Sequence, residues 1–503
     1  MTRSRRFTTA RSIRTVAGAL LLATTLGAAP RAATAACSTA ICGTSPCTIT
    51  GTTTLDSGCE LDFGSKDVIL TGTLQGDNNV DCYTIKAHDL TVRGTLRARG
   101  SCIVVELTGT FKTEIVSGSA ARVDTRDVDS GGDGTFITAA AIVLNGRDIN
   151  ADSASGYYGG EIYLNTPSGS ISGSGGNQSL HANGSGGADG GSITVIADAS
   201  SINLPGPIEV NGGGASGYGG AIYIEAATSV TMGGVLEAHG GVDGDGGAID
   251  VYAHGGTATF NGNLAVYGNG DTTSGGTIYV EADAVTTGTT WNARGDESGS
   301  GGSITVYAFP ATGSGTITTT NGAASFDTVG GSGGGSGGDI DIEASGSITL
   351  AGDMDAGGQG EFASAGRITL YAGSGSGHTL TIQNTSRIEA DSAGTDASDG
   401  YIDAWACNIS IAGVLDTRNT NLSGAGGFND LTYAGTLTTA SGSSVLADDV
   451  VDLGSNTIYC RCVDTSPADG ICDTPATCAS PPTIGGTMTP AADIVPMVMS
   501  ACS

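Results

Sequence analysis

The chain predicts an all-β fold, a parallel β-helix of stacked coils, and three observations carry that prediction. A strand-like phrase recurs: GGEIYLNT at 159–166, GGSITVIA at 190–197, GGAIYIEA at 219–226, GGAIDVYA at 246–253, GGTIYVEA at 275–282, GGSITVYA at 301–308 and GGDIDIEA at 337–344. AGRITLYA at 365–372 and DGYIDAWA at 399–406 are weaker copies, and successive starts lie 26 to 36 residues apart. Self-similarity at such a period marks a stacked array. Within each copy apolar residues alternate with a period of two, and no stretch after residue 35 shows a helical period.

Residues 1–35 read as an export signal. Arg3, Arg5, Arg6, Arg11 and Arg14 form a basic start, residues 15–29 an apolar stretch, and Ala33-Thr34-Ala35 a small-residue cleavage site. The expected location is extracellular, at the cell surface, or in a periplasm. No later run of 18 apolar residues exists, so no transmembrane helix is expected in the mature chain. The signal holds six Arg and no acid, so its removal takes the net charge from −30 to −36. A surface of that sign repels nucleic acid and resists side-by-side association of β-rods. It favours cations, neutral glycans or extracellular matrix as partners.

The twelve cysteines lie at the ends. Cys37, Cys42, Cys47, Cys59, Cys82 and Cys102 precede a cysteine-free stretch at 103–406, and Cys407, Cys460, Cys462, Cys472, Cys478 and Cys502 follow it. An even count in an exported chain reads as disulfides, paired within each end because a link between ends would join the two tips of a rod. We therefore divide the chain into the signal, a Cys-rich cap at 36–59, a solenoid at 60–455 and a Cys-rich cap or tail at 456–503. Terminal coils expose core and strand edges, which such caps would close.

Each solenoid unit has a second half, as in TSVTMGGVLEAHGG at 228–241 and NISIAGVLDTRN at 408–419. The unit is a strand, a turn, a second strand, a Gly-like kink, a short third strand and a Gly-rich loop. Three short strands cannot bury an apolar face alone. Stacking puts Ile222 over Val195 on one side and under Val251 or Ile249 on the other, depending on register. With HDLTVRGTLRARG at 88–100 and DLTYAGTLTTASG at 430–442 included, 60–455 holds about 13 coils, roughly 60 Å at one strand spacing each. The alternatives fit less well. A disordered linker would not repeat Ile and Val in register, and a propeller has longer, four-stranded units.

The GG-x-I-x-V-x-A strand followed by a SITLxGxIxAxGG strand resembles the repeat region of filamentous haemagglutinin-like proteins and autotransporter passengers. The match runs well over 150–420 and loosely over 60–150. The resemblance implies a right-handed parallel β-helix at or beyond the cell surface, often adhesive. The chain lacks an Asn-Pro-rich N-terminal secretion module, and 456–503 is too short for a membrane barrel.

Aligned copies give two outward columns. The first holds Tyr163, Thr194, Tyr223, Asp250, Tyr279, Thr305, Asp341, Thr369 and Asp403. The second holds Asn165, Ile196, Glu225, Tyr252, Glu281, Tyr307, Glu343, Tyr371 and Trp405, and alternates acid with aromatic from 225 to 371. Aromatic faces beside carboxylates suit sugar rings, so Tyr223, Glu225, Tyr252, Tyr279, Glu281, Tyr307, Glu343, Tyr371 and Trp405 are the candidate ligand residues. Strand context also selects such residues without any ligand. Loop acids Asp243, Asp245, Asp353 and Asp355 are the candidate Ca²⁺ ligands; no other cofactor is expected. Catalytic residues are not assigned. Basic side chains are sparse, and Arg294 stands alone between Arg147 and Arg367, so over that span no catalytic site for an acidic polysaccharide is expected. The expected function is a structural or adhesive β-helix without catalysis; the alternative is a polysaccharide lyase or hydrolase.

Overall fold

The computed structural model describes residues 44–499 and 502, less 57, 77–81, 99, 116–120, 127–133, 147, 155, 175–177, 321–324, 394–399, 420–426, 448–454 and 463–476. The export signal, Cys37, Cys42 and Cys472 lie outside the described residues.

Every strand pair between coils is parallel, and the described residues contain no helix. One coil shows the plan. Ala221–Ala226 belongs to a first ladder, Val230–Met232 to a second and Leu236–Glu237 to a third. The first and second ladders form one 30-stranded sheet, because Ala248–Phe260 and Thr277–Thr287 run unbroken through the corner between them. The third ladder is a separate 16-stranded sheet. The solenoid of about 13 coils is thus present. Its ladders also continue past 60 and 455, from Cys47–Ile49 to Asp493–Met497.

Register follows the glycine pairs. Ile222 lies between Ile193 and Ile249 and not over Val195 as expected, because the glycine pairs align and Val195 pairs with Ile224. A side chain at Gly219 or Gly220 would force its Cβ to 1.9 Å from Ala238 O or 2.1 Å from Gly191 O, so the chain enters each first strand through glycine. The interior is then a set of columns. Ile162, Ile193, Ile222, Ile249, Ile278, Ile304, Ile340, Ile368 and Ile402 follow one another in register, each no more than 1% exposed. Burying each isoleucine contributes about 2–3 kcal/mol. Where second-ladder and third-ladder interiors meet, Trp291 stands edge-on to Phe260 and Phe326 at 5.0 Å each, its indole N–H given to Thr287 Oγ1 at 3.2 Å.

The isoleucine column ends in amides. Asn429 follows Ile402 and Asn456 follows Asn429, both buried. Asn429 Nδ2 donates to Asn456 Oδ1 at 2.9 Å, and Asn456 Nδ2 donates to Pro490 O at 2.7 Å.

Disulfides join Cys82 to Cys102, Cys407 to Cys502 and Cys460 to Cys478, each within one end of the chain as expected. Cys47, Cys59 and Cys462 are disulfide-bonded too, and no described cysteine is free. The Cys407–Cys502 bond carries the tail past Asp493–Met497 back to the corner after Tyr401–Ala406. Among the described residues no helix is long and apolar enough to cross a membrane.

Candidate functional site

Strand alternation turns Ile222 and Ile224 inward and Tyr223 and Glu225 outward, and parallel stacking repeats that choice coil after coil. Both outward columns read from the aligned copies are present residue for residue, from Tyr163 to Asp403 and from Asn165 to Trp405.

Their side chains form a continuous strip. Tyr223 and Tyr252 lie with ring centroids 5.5 Å apart, Tyr252 and Tyr279 at 5.5 Å, and Tyr279 and Tyr307 at 5.7 Å. Phe309 extends the row at 6.0 Å and is 48% exposed. Tyr223 Oη donates to Glu225 at 2.5 Å and Tyr279 Oη to Glu281 at 2.7 Å, each within its own strand. A bond to the residue two positions on lays the ring along the strand instead of standing it upright, so the sheet is tiled by half-buried rings. Later in the strip the acceptor sits in a neighbouring coil: Tyr307 donates to Asp341 at 3.2 Å and Tyr371 to Asp403 at 2.6 Å. Trp405 lies in register with Tyr371.

Burial raises the phenol pKa along the strip. Tyr252 is pushed up to about 12, mainly by burial and secondarily by Asp250. Tyr223 and Tyr279 rise further, through burial and then their carboxylate partners. All therefore act as neutral donors near neutral pH. Glu343 is lifted to about 7, by burial first and by Asp341 second. Asp250, Asp341 and Asp403 also titrate above the usual carboxylate range, again chiefly through burial. The strip thus combines flat aromatic faces, phenol donors and carboxylate acceptors.

Residue columns missed in the sequence also contribute. The alternation places a third outward column one position before each inward isoleucine, and at the C-terminal side it holds Arg367, Tyr401 and Phe428. Tyr401 Oη donates to Asp430 at 2.5 Å, and the Arg367 guanidinium lies 5.3 Å from the centre of the Tyr401 ring. His254, two residues after Tyr252, reaches Glu225 through Nε2 at 2.9 Å. Counting the outward residues at every strand position would have found all four.

The candidate calcium ligands are not gathered into one group. Asp245 Oδ1 accepts the Ser274 N–H at 2.7 Å, Asp353 Oδ1 the Arg387 N–H at 2.8 Å and Asp355 Oδ1 the Gly357 N–H at 2.9 Å. Asp243 sits at a loop position with φ 66°. Among the described residues the one set of three potential ligand groups close enough to share an ion is Asp67, His88 and Asp89. Comparison with protein families, curated proteins and solved structures finds no match.

Proposed function

We propose that this chain is an exported, non-catalytic adhesive solenoid whose first-ladder face binds extended neutral glycan. The observation that carries the reading is the unbroken row Tyr223–Tyr252–Tyr279–Tyr307, with rings 5.5–5.7 Å apart and carboxylates alongside. Sugar rings present apolar faces and hydroxyls together, and tiled rings with interleaved donors and acceptors complement both. The repeat-level likeness to haemagglutinin-type passengers supports adhesion at a cell surface. The disulfides fit an oxidising, extracellular compartment. The test is retention on immobilised neutral polysaccharides. Tyr252→Ala with Tyr307→Ala should abolish it while leaving the circular dichroism spectrum intact; unchanged retention would reject the strip as the site.

A hydrolytic reading has one observation in its favour. Glu343, protonated up to about pH 7, neighbours Asp341 on the same strand, with Asp403 and Arg367 in the following coils. A carboxylic acid beside carboxylates is the equipment of glycoside hydrolysis. Turnover of any polysaccharide that Glu343→Gln abolishes would establish this reading over the adhesive one.

A further inference from the structure

Charge is distributed unevenly along the rod. Residues 44–126 hold eight Lys or Arg against ten Asp or Glu, whereas 127–503 hold six against 40. On the first and second ladders of the early coils the cations are offset by neighbouring acids. Lys86 lies between Glu60 and Glu106 at 3.1 and 3.7 Å, and Glu114 takes both Arg93 and Lys112.

The third ladder differs. Arg97, Arg122 and Arg126 converge on one carboxylate, Asp124, whose side chain is 4% exposed. Stacking brings them together, since Arg97 is the register partner of Asp124 and Arg122 that of Thr95. Arg126 takes Asp124 through two bonds, Nε to Oδ1 at 2.8 Å and Nη2 to Oδ2 at 3.1 Å. Arg97 and Arg122 stop at 3.6 and 3.7 Å from Oδ2, and neither Nε makes a hydrogen bond. Each guanidinium carries about five N–H donors and a carboxylate offers about four lone-pair positions. Among the described residues, one carboxylate therefore leaves most donors of this cluster without a hydrogen-bonded anionic acceptor. The side chains remain 29, 33 and 41% exposed.

The next described acids, Asp148 and Asp152, act on Arg126 by charge, while the hydrogen bonds they accept come from other groups. Asp148 Oδ1 accepts the Ser179 hydroxyl at 2.6 Å, and Asp152 accepts the Asn183 N–H at 2.8 Å and the Asn150 amide at 2.9 Å. The acids of more distant coils are screened, because the Debye length is about 8 Å at physiological ionic strength.

We propose that Arg97, Arg122 and Arg126 bind the carboxylate or sulfate group of an acidic glycan, with Asp124 as the fixed counter-charge that orients the three guanidiniums. Planar forks match such oxyanions with paired hydrogen bonds. A nucleic acid fits poorly, since duplex DNA carries a charge about every 1.7 Å and would press many of them against the acidic coils beyond residue 127. A glycan with spaced acid groups presents one charge to the cluster. The site is on a different sheet from the tyrosine strip and does not depend on it.

The test passes the full chain over four columns at low salt: a sulfated polysaccharide, a polyuronate, neutral dextran and DNA. Retention on one or both acidic glycans, above DNA and lost with added salt, is expected, while any retention on dextran through the tyrosine strip survives the salt; which of the two acidic glycans retains the protein assigns sulfate or carboxylate. Arg97→Gln with Arg122→Gln should weaken that binding at least about tenfold, as loss of charge-assisted hydrogen bonds implies, while Arg93→Gln leaves it unchanged. Thermal melting monitors folding of each variant. Independently of any variant, bound glycan should protect Arg97 and Arg122 of the wild-type chain from phenylglyoxal. No salt-sensitive retention on either acidic glycan, tighter binding to DNA, or an absence of protection would overturn the proposal.

Discussion

Acidification from about pH 8 to about pH 5.5 should stabilise this protein, and Glu343 lets the effect be sized. Its carboxyl titrates at about 7 in the folded chain, against an ordinary value of 4.5. Between those values the folded state binds more protons than the unfolded one, so stability falls as pH rises through the window and is fullest below it. At 1.36 kcal/mol per unit, the shift corresponds to about 3.4 kcal/mol at its upper limit. The side chain is only about half-buried, and solvent screening cuts the effect to about 1–2 kcal/mol. Glu389, lifted to about 7, and Asp391, lifted to about 6, both mainly by burial, act in the same direction. So does His181, whose raised pKa, which Glu209 supports against burial, gives stability that is lost as pH rises. Groups shifted downward, such as Glu114 and Glu209, lose their contribution only under more acidic conditions. Thermal melts of the wild type and Glu343→Gln across this range isolate the residue. The variant should be more stable than wild type at about pH 8 by about 1–2 kcal/mol, and the difference should vanish near pH 5. A wild type that melts earlier on acidification, or a difference independent of pH, would refute the reasoning.

Three further outcomes follow from the fold. Ile249→Ala, in the middle of the isoleucine column, should cost about 2–5 kcal/mol in denaturant unfolding. Gly220→Val should prevent formation of the coil it enters, since its Cβ would lie 2.1 Å from Gly191 O, and limited proteolysis near 219–226 should report the defect. Replacing Cys407 and Cys502 by Ser opens a link across 95 residues, worth up to about 4.7 kcal/mol in chain entropy, and should expose the C-terminal coils to protease before the central ones.

The repeat was legible because its glycine pairs mark the entry to each first strand, which fixes every following inward and outward position. The two outward columns therefore follow from aligning the copies alone. What could not be read was where the side chains turn. Tyr223 and Tyr279 bond within their own strands, while Tyr307 and Tyr371 reach across coils, a choice made by packing among neighbouring rings. That the ladders run past 60 and 455 was hidden for a different reason. Ser455–Arg461 belongs to the first ladder yet lacks the glycine pair, Cys47–Ile49 is a short second-ladder strand, and Asn429 and Asn456 interrupt the apolar pattern that periodicity seeks. The arginine cluster was invisible because Arg97, Arg122 and Arg126 meet only through stacking of neighbouring coils.

Nine identical isoleucines make good cement and a poor ruler. Slide one coil past the next and isoleucine still lands on isoleucine, so a chain that skips a turn while zipping meets almost no resistance in the core. The Asn429–Asn456 pair behaves like the keyed notch at the end of a rack. The bond from Asn429 Nδ2 to Asn456 Oδ1 forms only when these two coils stack on each other, and any other count strands that buried amide opposite hydrocarbon at a cost of about 1–3 kcal/mol. On that view the amides contribute little to how firmly the rod holds together. They fix how many turns it has.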